Sequence, residues 1–517
     1  FYPIVWHQVA SLGAWSWRET LIANNVLLLA VALVWYLGLV YLARTALPKV
    51  RHAPYLALAA SLLAPVFPWR LTYGAALWPY CMAVATCPAV IAMSIECWRR
   101  ARTLMVVAAR EQNTSVWGAR ARAAMALSAI IPFFVGSCLI HTSAAAMLLW
   151  PLFGILLCQA VHSGIRSWRY ERRAQAAAWW IGAVLAVVAL VAFVMLPGPQ
   201  QHHFGRYTEL DWSNLTTKLL IPITLDYFGG WAIEWIEMPL AALSLLGAAI
   251  CLWRRRNWEL VVGWILSMSL ILAAIAPIPV LSSITGLFYR VPHRIKAMTA
   301  VLAVLLVVVA LDALRTWLSP LGARAGSALR AALGRIGLAS VSTVVLRAGA
   351  AVAALAVCLP IMLIGSRAVA TDVREGYLPV HGDTRFIADT AELDMIRRLP
   401  DELPDNAVVI GDPVAGTGYI PILTGMRSVW VFPGQAADDQ DGIYLRENFN
   451  RIHTDPHVCE LLQRHGIQYF YADKDIVFNG NRLSKFRPGL YGVDTSSGFT
   501  LVDSGGTASL WHIDICD

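Results

Sequence analysis

About ten apolar stretches follow one another between residues 21 and 366, and the loops joining them alternate between arginine-rich and arginine-poor. Each stretch is long enough, or nearly so, to cross a hydrocarbon core of about 30 Å. Only 14% of residues are charged and 58% are hydrophobic, whereas a soluble domain carries about a quarter charged residues. A water-soluble globule is therefore excluded. The predicted spans are 21–46, 53–69, 75–97, 123–140, 143–162, 176–197, 238–253, 258–276, 297–317 and 344–366.

Basic side chains concentrate at Arg44, Lys49 and Arg51; at Arg99, Arg100, Arg102, Arg110, Arg120 and Arg122; at Arg166, Arg169, Arg172 and Arg173; at Arg254 to Arg256; and at Arg315, Arg324, Arg330 and Arg335. The positive-inside rule makes these loops cytoplasmic. Residues 1–20, 70–74, 141–142, 198–237 and 277–296 then lie outside, with everything after the last span. The expected fold class is a polytopic α-helical plasma-membrane protein of about ten spans, with a C-terminal extracytoplasmic α/β domain.

Three regions follow. Residues 1–20 read as an external interfacial helix, because Trp6, Trp15 and Trp17 alternate with polar side chains in the manner of a headgroup-level segment. Residues 21–366 form the transmembrane helical domain, with long external loops at 198–237 and 277–296. The cytoplasmic stretch 318–343 reads as a basic amphipathic or flexible connector near anionic lipid. Residues 367–517 form the α/β domain: long apolar stretches stop and short β-type segments appear at Ala407–Ile410, Ser428–Phe432 and Gln468–Tyr471. Helices are expected at Glu392–Leu399 and His457–Arg464, the second with Asp455 as N-cap and Pro456 at its first position.

Charge divides the same way. From residue 367 onward 13 Lys+Arg stand against 22 Asp+Glu, a net −9, and the preceding residues carry +17, making up the +8 of the chain. The basic excess sits in short loops, so no nucleic-acid partner is expected. Seven of the nine cysteines fall in or at the ends of apolar spans, as small hydrophobes. Cys459 and Cys516 lie in the exported tail, either paired in a disulfide or free.

The segment Tyr2-Pro3-Ile4-Val5-Trp6-His7-Gln8, followed by Ala23-Asn24-Asn25 and a span closing on Tyr41-Leu42-Ala43-Arg44, resembles the region after the first external loop of C-superfamily glycosyltransferases. It is also similar to an uncharacterised actinobacterial multi-pass membrane protein family with a Tyr-Pro-x-x-Trp-His signature. That second resemblance extends to Phe288-Tyr289-Arg290-Val291-Pro292-His293-Arg294 and Asp455-Pro456-His457-Val458-Cys459. The first implies an inverting transfer of sugar from a polyprenyl-phosphate donor to a cell-envelope glycan at the outer face. In that superfamily a carboxylate of the first external loop is the base. Here that loop is expected upstream of Phe1, so the resemblance assigns the catalytic base to no residue of this sequence.

Arg290, His293, Arg294 and Lys296 are the candidate donor-phosphate ligands. They lie outside against the positive-inside trend, and guanidinium groups grip phosphate bidentately; anchoring to lipid headgroups is the alternative. Candidates for sugar or acceptor are His7, Trp6, Asp226, Glu234, Asp412 and Tyr419. Asp226 and Glu234 stand beside aromatic residues in an external loop, and Asp412 and Tyr419 in the Gly411–Tyr419 turn that follows a strand. Solvated loop charge is the simpler reading of the external carboxylates, and His141 at an external turn is a weaker candidate. No cofactor is expected, although external carboxylates could bind a divalent metal. The partners are membrane lipids, a polyprenyl-phosphate sugar and envelope glycan. Two other functions fit: a lipid or glycan transporter or flippase, for which Pro65, Pro68, Pro79, Pro88, Pro132 and Pro151 would break helices, and a non-catalytic scaffold binding glycan.

Overall fold

The computed structural model describes residues 5–14, 17–63, 67, 71–72, 77–110, 116–195, 231–275, 281–335, 363, 367, 370, 388–431, 440–478 and 481–516. The chain divides into two compact units, one of Phe1–Val9 and Val26–Val373, the other of Ala10–Asn25 and Arg374–Asp517.

The described helices before residue 336 are α1 (Val5–Ser11), α2 (Trp17–Ala46), α3 (Ala53–Leu63), α4 (Trp78–Arg110), α5 (Val116–Ser128), α6 (Ile130–Ile140), α7 (Ser143–Arg169), α8 (Arg173–Met195), α9 (Trp231–Trp253), α10 (Trp258–Ile275), the short α11 (Leu281–Thr285) and α12 (Pro292–Arg335). Seven segments among the described residues are long and apolar enough to cross a membrane: Glu19–Ala46, Trp78–Leu104, Arg120–Ile140, Ser143–Arg169, Arg173–Ala192, Trp258–Ile275 and Arg294–Pro320. This is an integral multi-pass membrane protein. The sequence suggests about ten spans. Two of the remaining three are shorter apolar helices, Ala53–Leu62 and Met238–Trp253, and 344–366 lies outside the described residues except for Leu363.

Proline explains one break. The single expected span at 123–140 is two helices meeting at Ala129, because Pro132 has no N–H to offer the carbonyl four residues earlier. The connector expected after residue 317 continues as helix to Arg335, giving α12 44 residues and a length of about 66 Å. Every residue from Ile295 to Ala310 is buried, so α12 is the axis of this unit. Small residues let it pack closely: a Cβ on Gly247 of α9 would collide with the Leu306 carbonyl, the close backbone approach by which membrane helices associate.

The inter-helix segments sort into two groups in space. In one, Trp6 packs on Trp78 with ring centroids 5.9 Å apart, the Tyr80 hydroxyl donates to the Arg294 carbonyl, and Ser143 Oγ donates to the Leu287 carbonyl. In the other, Arg99 Nη1 donates to the Thr45 carbonyl at 2.7 Å and the Tyr41 hydroxyl to Glu96 at 2.6 Å. Segments assigned to the same side by their arginine content thus meet at the same end.

The second unit is α/β. Its five-stranded sheet has the order β2 (Arg427–Ser428), β1 (Val408–Ile410), β3 (Tyr469–Ala472), β7 (Ala508–Ile513), β6 (Phe499–Gly505). The first three strands are parallel and the last two form an antiparallel hairpin. A small separate ladder joins β4 (Val477–Phe478) to β5 (Asn481–Arg482). The helices are α13 (Thr390–Glu402), α14 (Tyr419–Thr424), α15 (Gln440–Asn448) and α16 (Pro456–His465).

Alternation along the strands builds two cores. Tyr469, Tyr471, Val409 and Leu510 pack with Met395, Ile396 and Leu399 of α13; Phe470, Val408, Ile410 and Ile513 pack with Val458, Leu461 and Leu462 of α16. The Asp455 side chain accepts the His457 N–H at 3.1 Å as N-cap of α16. Cys459 on α16 is joined to Cys516 in a disulfide spanning 57 residues, which the chain-entropy argument values at about 4 kcal/mol.

Candidate functional site

The site begins with a backbone reversal. Tyr289 and Arg290 follow one another in the left-handed region, at φ 56° and 55°, at a cost on the order of 1 kcal/mol each. Local bonds hold them there: the Tyr289 N–H reaches the Gly286 carbonyl and the Arg290 N–H the Thr285 carbonyl, both at 2.9 Å. Phe288, fully buried, anchors the turn. Pro292 then starts α12 with its φ already fixed.

This reversal brings Tyr289 back over the first turn of α12. The Arg294 guanidinium carbon lies 4.3 Å from the Tyr289 ring centroid and 5.4 Å from that of Tyr80. Two aromatic faces therefore hold the cation. Among the described residues Arg294 Nε has no hydrogen-bond partner; the guanidinium interacts with Tyr80, Tyr289 and Cys81, donates a hydrogen bond to Tyr289, and has no carboxylate among these partners. Tyr80 is itself buried and tied to the α12 backbone through its hydroxyl.

His141 completes the arrangement from the turn between α6 and α7. Its ring centroid is 5.3 Å from that of Tyr80 and 6.3 Å from that of Tyr289. Nδ1 accepts the Ser143 N–H at 3.1 Å, so the neutral ring carries its proton on Nε2. Burial first, and then the Arg294 charge, push its pKa down to about 4. At neutral pH this imidazole is an uncharged donor.

Helix ends reinforce the electrostatics. α4, α7 and α12 all begin here, and none has an acidic residue in its first turn. Each N-terminus carries a partial positive charge, although early N–H groups such as those of Ser143, Ala144, Cys81 and Arg294 already have partners. Three such ends, a caged guanidinium and a neutral imidazole donor make a site suited to an anion.

Of the four candidate phosphate ligands, Arg294 is in the cage and Arg290 is on the turn that forms it. Lys296 is fully buried, but residues two apart on a helix do not share a face, so it points away from the Arg294 side of α12. The His293 side chain falls outside the described residues, as does that of Glu234, and Asp226 lies outside them altogether. Trp6 is fully buried against Trp78, two residues from Tyr80, while His7 is exposed.

The α/β candidates lie in closed surroundings. Asp412 is buried with both oxygens engaged: Oδ1 accepts from the Val414 N–H at 2.8 Å and Arg487 Nη1 at 3.2 Å, and Oδ2 from the Tyr491 hydroxyl at 2.9 Å. Tyr419 opens α14 beside Glu392, and burial together with that carboxylate raises its pKa. Glu392, fully buried, was not apparent from sequence. It accepts from the Tyr471 hydroxyl and closes a capping box with Asp389. Burial, with the nearby Asp473 and Asp389 charges, pushes its pKa up to about 8. Among the described residues, no three His, Cys, Asp or Glu side chains come together as a metal site.

Sequence reasoning also passed over Tyr80 and gave His141 little weight. A usable signal existed, since Trp78-Pro79-Tyr80 and His141-Thr142-Ser143 both flank segments assigned to the same membrane end as Arg290 and Arg294.

The chain belongs to a family of unknown function, DUF6541, whose family model matches residues 1–515. A search of curated proteins gave no match.

Proposed function

We propose that this protein binds a polyprenyl-phosphate sugar at the outer face of the plasma membrane and transfers the sugar to a cell-envelope glycan, as C-superfamily glycosyltransferases do. The observation that carries this reading is Arg294, held between two tyrosine faces with no carboxylate among the described residues to neutralise it. A cation so placed at a membrane-helix end is matched by a ligand that is anionic at its head and apolar along its length.

Two features support placing this end outside. The arginine-rich loops cluster at the opposite helix ends. The Cys459–Cys516 disulfide in the α/β unit suits an oxidising compartment, and the expected topology exports that unit too. The donor phosphate would lie against Arg294, with Arg290 on the adjoining turn and His293 as a further cation of the same segment; Lys296 faces away. Trp6, His7, Asp226, Glu234 and Tyr419 remain candidates for sugar or acceptor, while Asp412, with both oxygens engaged, serves the fold.

The test is transfer of radiolabelled sugar from polyprenyl phosphate by purified full-length protein in lipid. Arg294→Ala is expected to lower kcat/KM at least about a hundredfold, the loss of a charge-assisted phosphate contact. Normal transfer by Arg294→Ala would contradict the phosphate role. Binding of the lipid phosphate without any transfer would instead favour a lipid transporter or a scaffold.

A further inference from the structure

A phosphate held by Arg294 has oxygens left for a second donor. Among the described residues, Arg294 and His141 are polar side chains set against both the Tyr80 and Tyr289 rings. They come from segments 153 residues apart in the chain and are brought together only by the helix ends. The histidine is oriented, because the first N–H of α7 occupies Nδ1 and leaves the Nε2–H edge turned from that helix end. Ser143 itself is pinned to the Leu287 carbonyl, which ties the orientation of His141 to the loop carrying Tyr289. An imidazole cation here would add a second positive charge to a guanidinium within the same aromatic walls; a neutral imidazole adds a donor without that repulsion.

We propose that His141 is a ligand-positioning residue of this site, its Nε2–H donating to an oxygen of the same phosphate group that Arg294 holds. This rests on the phosphate reading of Arg294. The site then recognises a phosphate oxyanion through one charged and one neutral donor, and the tyrosine rings set the space between them. The same chemistry could be presented by polyprenyl phosphate, by a phospholipid headgroup or by free phosphate.

The experiment measures equilibrium binding to full-length protein in nanodiscs, with polyprenyl phosphate, phosphatidylglycerol or inorganic phosphate as the probe. His141→Asn keeps an oxygen to accept the Ser143 N–H and loses the distant Nε2–H. It is expected to weaken binding of the preferred probe about ten- to hundredfold, with Arg294→Ala weakening it at least as much. The preferred probe identifies the source of the phosphate. Loss with Arg294→Ala but not with His141→Asn would overturn the role of His141 and leave the phosphate reading standing; loss with neither would overturn both. A second readout does not depend on the variant folding: in wild-type protein labelled with 15N-histidine, the His141 Nε2 resonance should shift on addition of the preferred probe. An unchanged resonance at saturating probe would overturn the proposal.

Discussion

Two arginines, Arg487 buried and Arg294 half-buried, show how differently the two units treat charge. Arg487 in the α/β unit meets Asp412 at 3.2 Å, and Tyr491 and the Val414 N–H occupy the carboxylate's remaining acceptor positions. Arg294 in the membrane unit meets two aromatic faces and donates to Tyr289, and among the described residues its Nε has no hydrogen-bond partner. The first arrangement is closed and gives its energy to the fold. In the second, electrostatic need is left for something else to satisfy, as expected where a site is organised for binding at the expense of local stability.

The largest expected effect comes from breaking the closed pair. Asp412→Ala should destabilise the α/β unit by about 3–5 kcal/mol, because it strands the Arg487 guanidinium in a buried position. Hydrogen exchange in peptides covering β1 and β3 of the full-length protein would report it. Arg294→Ala, by the same comparison, should leave protection in the membrane unit nearly unchanged. Equal destabilisation by the two variants would erase the distinction between closed and open sites.

A smaller effect concerns pH and sharpens the contrast within the α/β unit, where Glu392 has a tyrosine and a backbone N–H as partners but no cation among the described residues. Its folded pKa is raised from 4.5 to about 8, so the folded state holds a proton that the unfolded chain releases. The stabilising effect is complete below about pH 4.5 and is lost as pH rises through about 8, a change on the order of a few kcal/mol. Exchange protection around α13 should therefore fall between those pH values in the wild type. Glu392→Gln should flatten that slope, and an unchanged slope would show that another group controls it.

How much of this was legible in the sequence depends on whether the determinant is local. Span positions and their parity follow from hydropathy and arginine content, so the ends that meet in space were already sorted along the chain. The cap of α16 could be read because Asp455 and Pro456 act within one turn. The hairpin of β6 and β7 was missed although Gly505 and Gly506 mark its turn, and Gly506 takes φ +61°. The site was harder for a physical reason. Tyr80, His141 and Arg294 are ordinary helix-end residues until tertiary packing sets the His141 ring 5.3 Å and the Arg294 guanidinium 5.4 Å from the Tyr80 ring. Asp412 shows the converse, since a carboxylate in a glycine-rich turn reads as available until Arg487 and Tyr491 arrive from a segment 75 residues away.

Sidedness decides whether the Arg294 cage can meet an exported lipid-linked substrate. The direct measurement is labelling of single cysteines in intact cells with a membrane-impermeant maleimide, the other thiols having been replaced. Leu287→Cys lies on the cage loop and Arg324→Cys on the distal part of α12; both positions are exposed. The expected result is labelling of Leu287→Cys in intact cells and of Arg324→Cys only after permeabilisation. The reverse pattern would put the cage in the cytoplasm and contradict an outer-face glycosyl transfer.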